Sequence, residues 1–207
     1  MLHFQSYEEI TEKLNLLSSG KEMDYLPNGK RIRINAYGDL FEYDIPKLMY
    51  GNSLVKSSSG EDIDDHIDYY MYNESYDFKA PKRRGGVIVQ GKFLVERKNV
   101  IGKTGWLYGK EKYLMIGYVD TNNKFWFLKY DRQKLADWVD ANNVEWLESR
   151  KDRMDKVAWI TPPGTEGGLL EKIRIGKYLD EALYNLRTNK FNLIQQLNRE
   201  RNENKPR

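Results

Sequence analysis

Residues 64 to 98 read DDHIDYYMYNESYDFKAPKRRGGVIVQGKFLVERK, and they concentrate acids and lysines in β-rich sequence. Three segments of this stretch, 67–71, 76–80 and 93–100, are rich in the β-branched and aromatic residues that favour strands. A basic, turn-rich loop at 81–86 separates the second segment from the third. We therefore expect three strands to carry the acids and lysines, and the rest of the chain to be built around them.

The first two of these strands form a predicted hairpin. Side chains alternate between the faces of a strand, so the acid-x-lysine pair Asp77 and Lys79 lies on one face. If Tyr72-Asn73 is a two-residue turn, the hairpin register sets Asp68 directly opposite Asp77. Any turn of even length keeps the two acids on one face, whereas a three-residue turn at 73–75 would place Asp68 on the other face.

The third segment carries a second acid-x-lysine pair, Glu96 and Lys98, which also share a face. Two registers therefore compete. In the favoured one, Asp68, Asp77 and Lys79 form a site with Glu96 nearby, and in the other Asp77 joins Glu96 and Lys98. Both registers contain Asp77, which makes Asp77 the first candidate for a functional residue.

Two acids held together on a strand pair suggest a bound cation. Carboxylates about 4 Å apart repel by roughly 4 kcal/mol at an effective dielectric constant of about 20, unless a cation neutralises them or one of them is protonated. Mg²⁺ takes one or two carboxylates, keeps several waters and bridges to phosphate oxygens. A divalent cation lowers the pKa of water, and a neighbouring lysine stabilises charge on a phosphate, so these residue types suit phosphodiester hydrolysis.

These residues resemble the PD-(D/E)XK nuclease superfamily, whose core places an aspartate at the start of one hairpin strand and an acid-x-lysine pair on the next. Asp68 matches the first acid, and Asp77-Phe78-Lys79 matches the acid-x-lysine element. The run FLVERKNVIGKTGWLYGKEKYLMIGYV at 93–119 is similar to phage-encoded members, with a glutamate-bearing strand, a glycine-tryptophan helix and another strand. The resemblance covers roughly residues 60–140, and it departs from the pattern because no proline precedes Asp68 and the acid-x-lysine acid is aspartate.

The resemblance implies a Mg²⁺- or Mn²⁺-dependent endonuclease that hydrolyses DNA rather than RNA, in the cytoplasm of the host if the chain is phage-encoded. It implies metal ligation by Asp68, Asp77 and Glu96, and it leaves a homodimer open. The candidate catalytic residues are these three acids with Lys79 and, in the competing register, Lys98. The candidate contacts to nucleic acid are Lys82, Arg83 and Arg84 of the basic loop and, from the resemblance, Lys110.

Other interpretations stay open at this point. The same acids and lysines can be a solvated turn and exposed cross-strand pairs that contribute little to stability. A nuclease-like fold that no longer cuts can serve as a DNA- or protein-binding accessory module, for instance an anti-defence factor. A purely structural interaction protein is a third possibility, and it would use the apolar stripe of the C-terminal helices as its interface.

Composition sets the broad class. The 207 residues are 40% hydrophobic, 13% aromatic and 31% charged, which indicates a soluble globular protein with no membrane partner. The net charge is +3, so an affinity for nucleic acid depends on where the 34 basic residues lie. The chain has no cysteine, which excludes disulfides and thiolate metal sites and fits the cytoplasm. It has 2 histidines, which disfavours a histidine-rich zinc site and points to oxygen ligands for any metal.

The order of predicted elements indicates a mixed α/β (α+β) fold, with a central mixed β-sheet flanked by helices. We expect a nuclease-like core at 61–160, an N-terminal helix and hairpin extension at 1–60 that packs on it, and a C-terminal helical extension at 161–207. Further predictions are helices at 7–18, 132–141 and 143–153, a hairpin about Asn28-Gly29 and a flexible connection at 57–60. An amphipathic segment at 39–50 is left without an assigned structure because it contains Pro46.

Overall fold

The structure is a computed structural model and describes residues 23–25, 31–33, 38, 40–84, 87–148 and 154–175. The described strands are β1 (Met23–Tyr25), β2 (Arg31–Arg33), β3 (Val55–Lys56), β4 (Tyr69–Met71), β5 (Glu74–Lys79), β6 (Arg83–Arg84), β7 (Val87–Ile88), β8 (Phe93–Lys98), β9 (Tyr113–Val119), β10 (Phe125–Asp131), β11 (Lys156–Ile160) and β12 (Leu169–Arg174). The described α-helices are α1 (Ile45–Tyr50), α2 (Ser59–Asp64) and α3 (Arg132–Ala141), with a π-helix at Leu40–Asp44 and short 3-10 helices at Gly51–Ser53, Trp106–Tyr108 and Thr165–Gly167.

A mixed six-stranded sheet forms the centre of the molecule, with its strands in the order β12-β10-β9-β5-β4-β3. Strands β5 and β9 are parallel, and the other neighbours are antiparallel. Strands β8 and β11 pair as a separate two-stranded ribbon. The predicted mixed α and β class with a central mixed sheet is therefore confirmed, although the described helices are few and short.

The β4–β5 hairpin turns through two residues, Tyr72 and Asn73, which both have positive φ angles, 52° and 63°. Met71 pairs with Glu74, so the two strands follow the register that a two-residue turn requires. Turns with positive φ at both central positions match the right-handed twist of the strands that they join. The even-length turn that the sequence analysis required is confirmed.

The central sheet has an apolar layer on each face. Phe78 and Phe127 lie in the layer that the π-helix and α1 cover through Phe41 and Ile45. The opposite layer contains residues of β9, α3 and the β8–β11 ribbon: Leu114, Ile116, Leu135, Val139, Phe93, Val95, Ala158 and Ile160. Asp77 is the neighbour of Leu114 in the β5–β9 register, and it therefore lies on the face that the ribbon covers.

Several local predictions are confirmed. Helix α3 has the predicted bounds, and Asp131 caps it by accepting a hydrogen bond of 3.0 Å from the backbone N–H of Lys134. Strands β1 and β2 pair as the expected N-terminal hairpin.

No described helix is long and apolar enough to span a membrane.

Three expectations differ from the structure. The helix predicted at 143–153 is wrong over its described part, because Asn143 has a φ of 48° and Leu147 pairs with Val157 in a β-bridge. The connection at 57–60 is not a loose linker, since the Ser58 side chain and Glu61 form a capping box that begins α2. The segment taken as a C-terminal extension begins with a strand of the central sheet, because β12 pairs with β10.

The helix predicted at 7–18 and the terminal helices predicted after residue 176 lie outside the described residues.

Candidate functional site

The site begins where β4 separates from β5 at Asp68. The backbone N–H of Asp68 donates to the carbonyl of Tyr76 at 2.9 Å, although Tyr76 is the register partner of Tyr69, so the ladder becomes irregular at this point. One step further the carbonyl of Ile67 turns away to accept from the Ser57 hydroxyl. The Asp68 carboxylate takes its place and accepts a hydrogen bond of 2.7 Å from the backbone N–H of Phe78. This bond fixes the Asp68 side chain against β5.

Asp77 is fully buried on β5, and Lys79 lies beside it on the same face. The Lys79 ammonium is 2.6 Å from Oδ1 of Asp77, and 17% of the lysine side chain is exposed. Burial raises the pKa of Asp77 well above its usual range, and Asp68 and Glu111 raise it further against the opposing charge of Lys79. Burial alone would lower the pKa of Lys79. The negative charges of Asp77, Asp68 and Glu42 outweigh burial and raise this pKa, with Asp77 contributing most. Lys79 is therefore held in its charged form.

Asp68 and Asp77 are close enough to share a hydrogen bond when one of them is protonated. When both are ionised, neither can donate to the other. Oδ2 of Asp77 then receives no hydrogen bond from any described residue. The structure therefore brings Asp68 and Asp77 together, as the turn predicted. The Oδ2 atom of Asp77 can bind a cation or a proton.

Glu42 is an acid of the site that the sequence analysis did not identify. It comes from the π-helix on the other side of the sheet, and its carboxylate accepts a hydrogen bond of 3.2 Å from the backbone N–H of Ala80 at the end of β5. Burial raises the pKa of Glu42, while the charges of Lys79 and Lys82 oppose the rise. The acid lay inside the segment 39–50, whose mixed pattern gave no sign that one of its side chains would reach β5.

Glu111 is a second acid that the sequence analysis missed, and it is only 1% exposed. Burial raises its pKa to about 8, against the opposing influence of its own backbone N–H, Arg132 and Lys79. Neither oxygen of its carboxylate receives a hydrogen bond from another described residue. Its electrostatic neighbours include Asp68 and Asp77, which puts Glu111 at the same site. The sequence offered one sign of Glu111, because it is an acid that lies two residues before the apolar strand β9.

The second acid-x-lysine pair lies elsewhere. Glu96 is half-buried on β8, where burial raises its pKa and the ammonium groups of Lys82 and Lys79 oppose the rise. Glu96 is therefore an electrostatic neighbour of the site from the ribbon that covers it. Lys98 is exposed at the end of β8, opposite Lys156, and forms no ion pair with a described residue. The structure pairs Asp77 with Lys79 and not with Lys98.

Of the four predicted nucleic-acid contacts, Lys82 is an electrostatic neighbour of the acids of the site. Lys82 is exposed and interacts electrostatically with Glu42 and Glu96. Arg83 and Arg84 form β6, which pairs with β7 in a short hairpin. Lys110 is mostly exposed, at 73%, and forms an ion pair of 2.8 Å with Asp65.

The donor set fits a hard divalent cation. The described residues contain no preformed group of three or more histidine, aspartate or glutamate side chains that could hold a metal ion. Mg²⁺ needs fewer protein ligands, because it takes one or two carboxylates and keeps most of its waters. Asp68 and Asp77 supply such a pair, and the unpartnered oxygen of Asp77 is the observation that makes them fit.

Comparison with known proteins returns no match: no protein-family model, no curated protein and no solved structure is similar to this chain at a significant level.

Proposed function

We propose that this protein is a metal-dependent nuclease of PD-(D/E)XK type that hydrolyses DNA phosphodiester bonds. The observation that carries the proposal is the arrangement of Asp68 and Asp77 across a two-residue turn, with Lys79 2.6 Å from Asp77. Acids buried together with one ammonium group are a weak source of stability, because their desolvation offsets their attraction. Buried acids with strongly shifted pKa values beside a charged lysine are, in contrast, common at catalytic sites.

The cation in this proposal is Mg²⁺ or Mn²⁺, with Asp68 and Asp77 as its ligands and Glu96 as an added acid on the covering ribbon. When bound, such a cation activates water and neutralises charge on a phosphate. Lys79 contributes a fixed positive charge beside that phosphate, because the surrounding carboxylates keep it protonated. Its ammonium group stabilises the charge that develops on the phosphate oxygens and orients the attacking water.

The basic residues at the edge of the site support a polyanionic substrate. Lys82 and Lys110 are exposed, and Lys82 lies within electrostatic reach of Glu42 and Glu96. Contacts of this kind hold the phosphate backbone without reading sequence, and their contribution falls as the salt concentration rises. They would hold the backbone across the acids while Lys79 faces the scissile phosphate.

The test is cleavage of duplex and single-stranded DNA by Asp77→Asn in Mg²⁺ and in Mn²⁺. We expect the variant to lose cleavage to background, because the amide is a poor cation ligand, while circular dichroism shows an unchanged fold. Asp137→Asn is the matched control: Asp137 is exposed on α3, so this variant should cut like the wild type.

The proposal fails if the wild type cuts no nucleic acid with either metal, or if Asp77→Asn still cuts. Tight DNA binding by a wild type that does not cut would instead favour the binding-module interpretation. The salt dependence of binding then identifies the contribution of Lys82 and Lys110.

A further inference from the structure

Glu111 is the described acid whose burial and lack of partners are hardest to explain by stability. Both of its carboxylate oxygens are buried, and neither receives a hydrogen bond from another described residue. An ionised carboxylate in such a place is strongly unfavourable unless a cation compensates it, and a neutral polar group without a hydrogen bond also has a cost. A side chain that served only to pack would be apolar at this position.

Arg132 is the described cation that most strongly opposes the raised pKa of Glu111, but its guanidinium donates three hydrogen bonds to other groups. Its Nε donates to the backbone carbonyl of Glu111 at 3.0 Å, and a second nitrogen donates to the carbonyl of Leu107 at 3.3 Å. The third nitrogen donates to the side chain of Gln133 at 2.9 Å. Arg132 therefore holds the backbone around Glu111 in place and donates none of these three hydrogen bonds to the carboxylate.

Gly109 provides an independent sign that the buried position of this carboxylate is built into the fold. Its φ of −69° is accessible to every residue, so backbone conformation does not require glycine there. A Cβ at this position would, however, overlap Oε2 of Glu111 and lie 3.0 Å from Cβ of His66. The glycine is therefore explained by the close approach of the Glu111 side chain.

We infer that Glu111 is a further carboxylate of the cation site, beside the position where Asp68 and Asp77 would hold the cation. This inference rests on the proposed function and adds a residue from the segment before β9 to that site. The acids do not form a preformed group of three metal ligands, so the role that fits is to accept hydrogen bonds from the water shell that Mg²⁺ or Mn²⁺ retains. Partners of this outer kind commonly change metal affinity by about 10- to 100-fold when they are removed.

The experiment measures Mn²⁺ binding to the full chain by calorimetry, without DNA, for the wild type, Glu111→Gln and Glu145→Gln. Glu145 is an exposed acid on the loop after α3 and serves as the matched control. We expect Glu111→Gln to weaken Mn²⁺ binding at least tenfold and Glu145→Gln to leave it within twofold. Glu111→Asp keeps the charge on a shorter side chain, and its affinity should fall between those of the wild type and Glu111→Gln, which decides the matter if the glutamine variant does not fold.

The outcomes separate this inference from the proposed function. If the wild type binds Mn²⁺, Asp77→Asn loses binding and Glu111→Gln binds within twofold of the wild type, the role of Glu111 is overturned and the proposed cation site stands. If the wild type itself binds no Mn²⁺, both are overturned.

Discussion

The chain contains two acid-x-lysine pairs of the same spacing, and they occupy opposite kinds of environment. Asp77 is fully buried and lies 2.6 Å from Lys79, with the acids of three other segments around them. Glu96 is half-buried, and Lys98 is exposed at the end of its strand. The pattern of residues is the same in the two pairs, so the position of each strand in the fold makes the difference.

Strand β5 has a neighbour on each side in the central sheet, β4 and β9, and an apolar layer on each face. Strand β8 pairs only with β11 among the described strands. Its last two residues are exposed. An acid-x-lysine pair becomes a candidate site only where burial removes water from it. The sequence spacing alone could not show which pair would be buried.

The largest expected effect on stability separates the two lysines. We predict that Lys79→Met lowers the free energy of unfolding by about 3 to 5 kcal/mol at pH 8, because Asp77 must then either remain an uncompensated buried charge or take up a proton. Lys98→Met should change it by less than about 0.5 kcal/mol, since the side chain is exposed. Urea unfolding followed by circular dichroism measures both, and equal effects of the two substitutions would contradict the comparison.

A second effect concerns the pH dependence of stability. The pKa of Glu111 rises from 4.5 to about 8 on folding, so its contribution to stability is fully present below pH 4.5 and is lost as the pH rises through about 8. We predict that the stability of the wild type, relative to Glu111→Gln, falls by about 2 to 4 kcal/mol between pH 5 and pH 8.5.

This difference is measured by urea unfolding of both proteins in a chelator, which removes any contribution from divalent cations. A difference that stays constant across the pH range would show that Glu111 ionises as it does in the unfolded chain. Burial of Glu111 could then no longer be used as evidence that this residue belongs to the site.

The smallest expected effect concerns the turn between β4 and β5, which brings Asp68 beside β5. Tyr72 is 79% exposed and has a φ of 52°, a conformation that asparagine adopts more readily than tyrosine. We predict that Tyr72→Asn raises the free energy of unfolding by about 0.5 to 1 kcal/mol. Tyr72→Val is the reverse control and should lower it, because a β-branched residue is strained at positive φ. A stabilising valine would indicate that the turn is built differently.

The features of the fold that follow from local sequence were predictable. A capping aspartate fixed the start of α3, and alternation with a two-residue turn fixed the β4–β5 register. Strand β12 was not predicted, because its residues are largely exposed at the edge of the sheet and do not alternate clearly. The helix predicted at 143–153 carried Trp146 and Leu147 as its apolar residues, whereas Leu147 in fact pairs with Val157 in a β-bridge.

The candidate site likewise combines residues that local sequence relates with residues that only the folded chain brings together. Asp68, Asp77 and Lys79 lie within twelve residues of each other, so the geometry of one hairpin relates them. Glu42 and Glu111 reach them only through packing: the π-helix crosses the end of β5, and the parallel pairing of β5 with β9 brings the segment before β9 alongside. No local pattern encodes a parallel crossover, and these two acids were therefore found only in the structure.

The central claim is that Asp68 and Asp77 together hold a divalent cation beside Lys79. The most direct test is a crystal of the protein soaked in Mn²⁺, with anomalous diffraction measured near the manganese absorption edge. The account predicts an anomalous peak between the carboxylates of Asp68 and Asp77. A peak beside Glu96 and Lys98, or none near Asp77 in a crystal that takes up Mn²⁺ elsewhere, would contradict it.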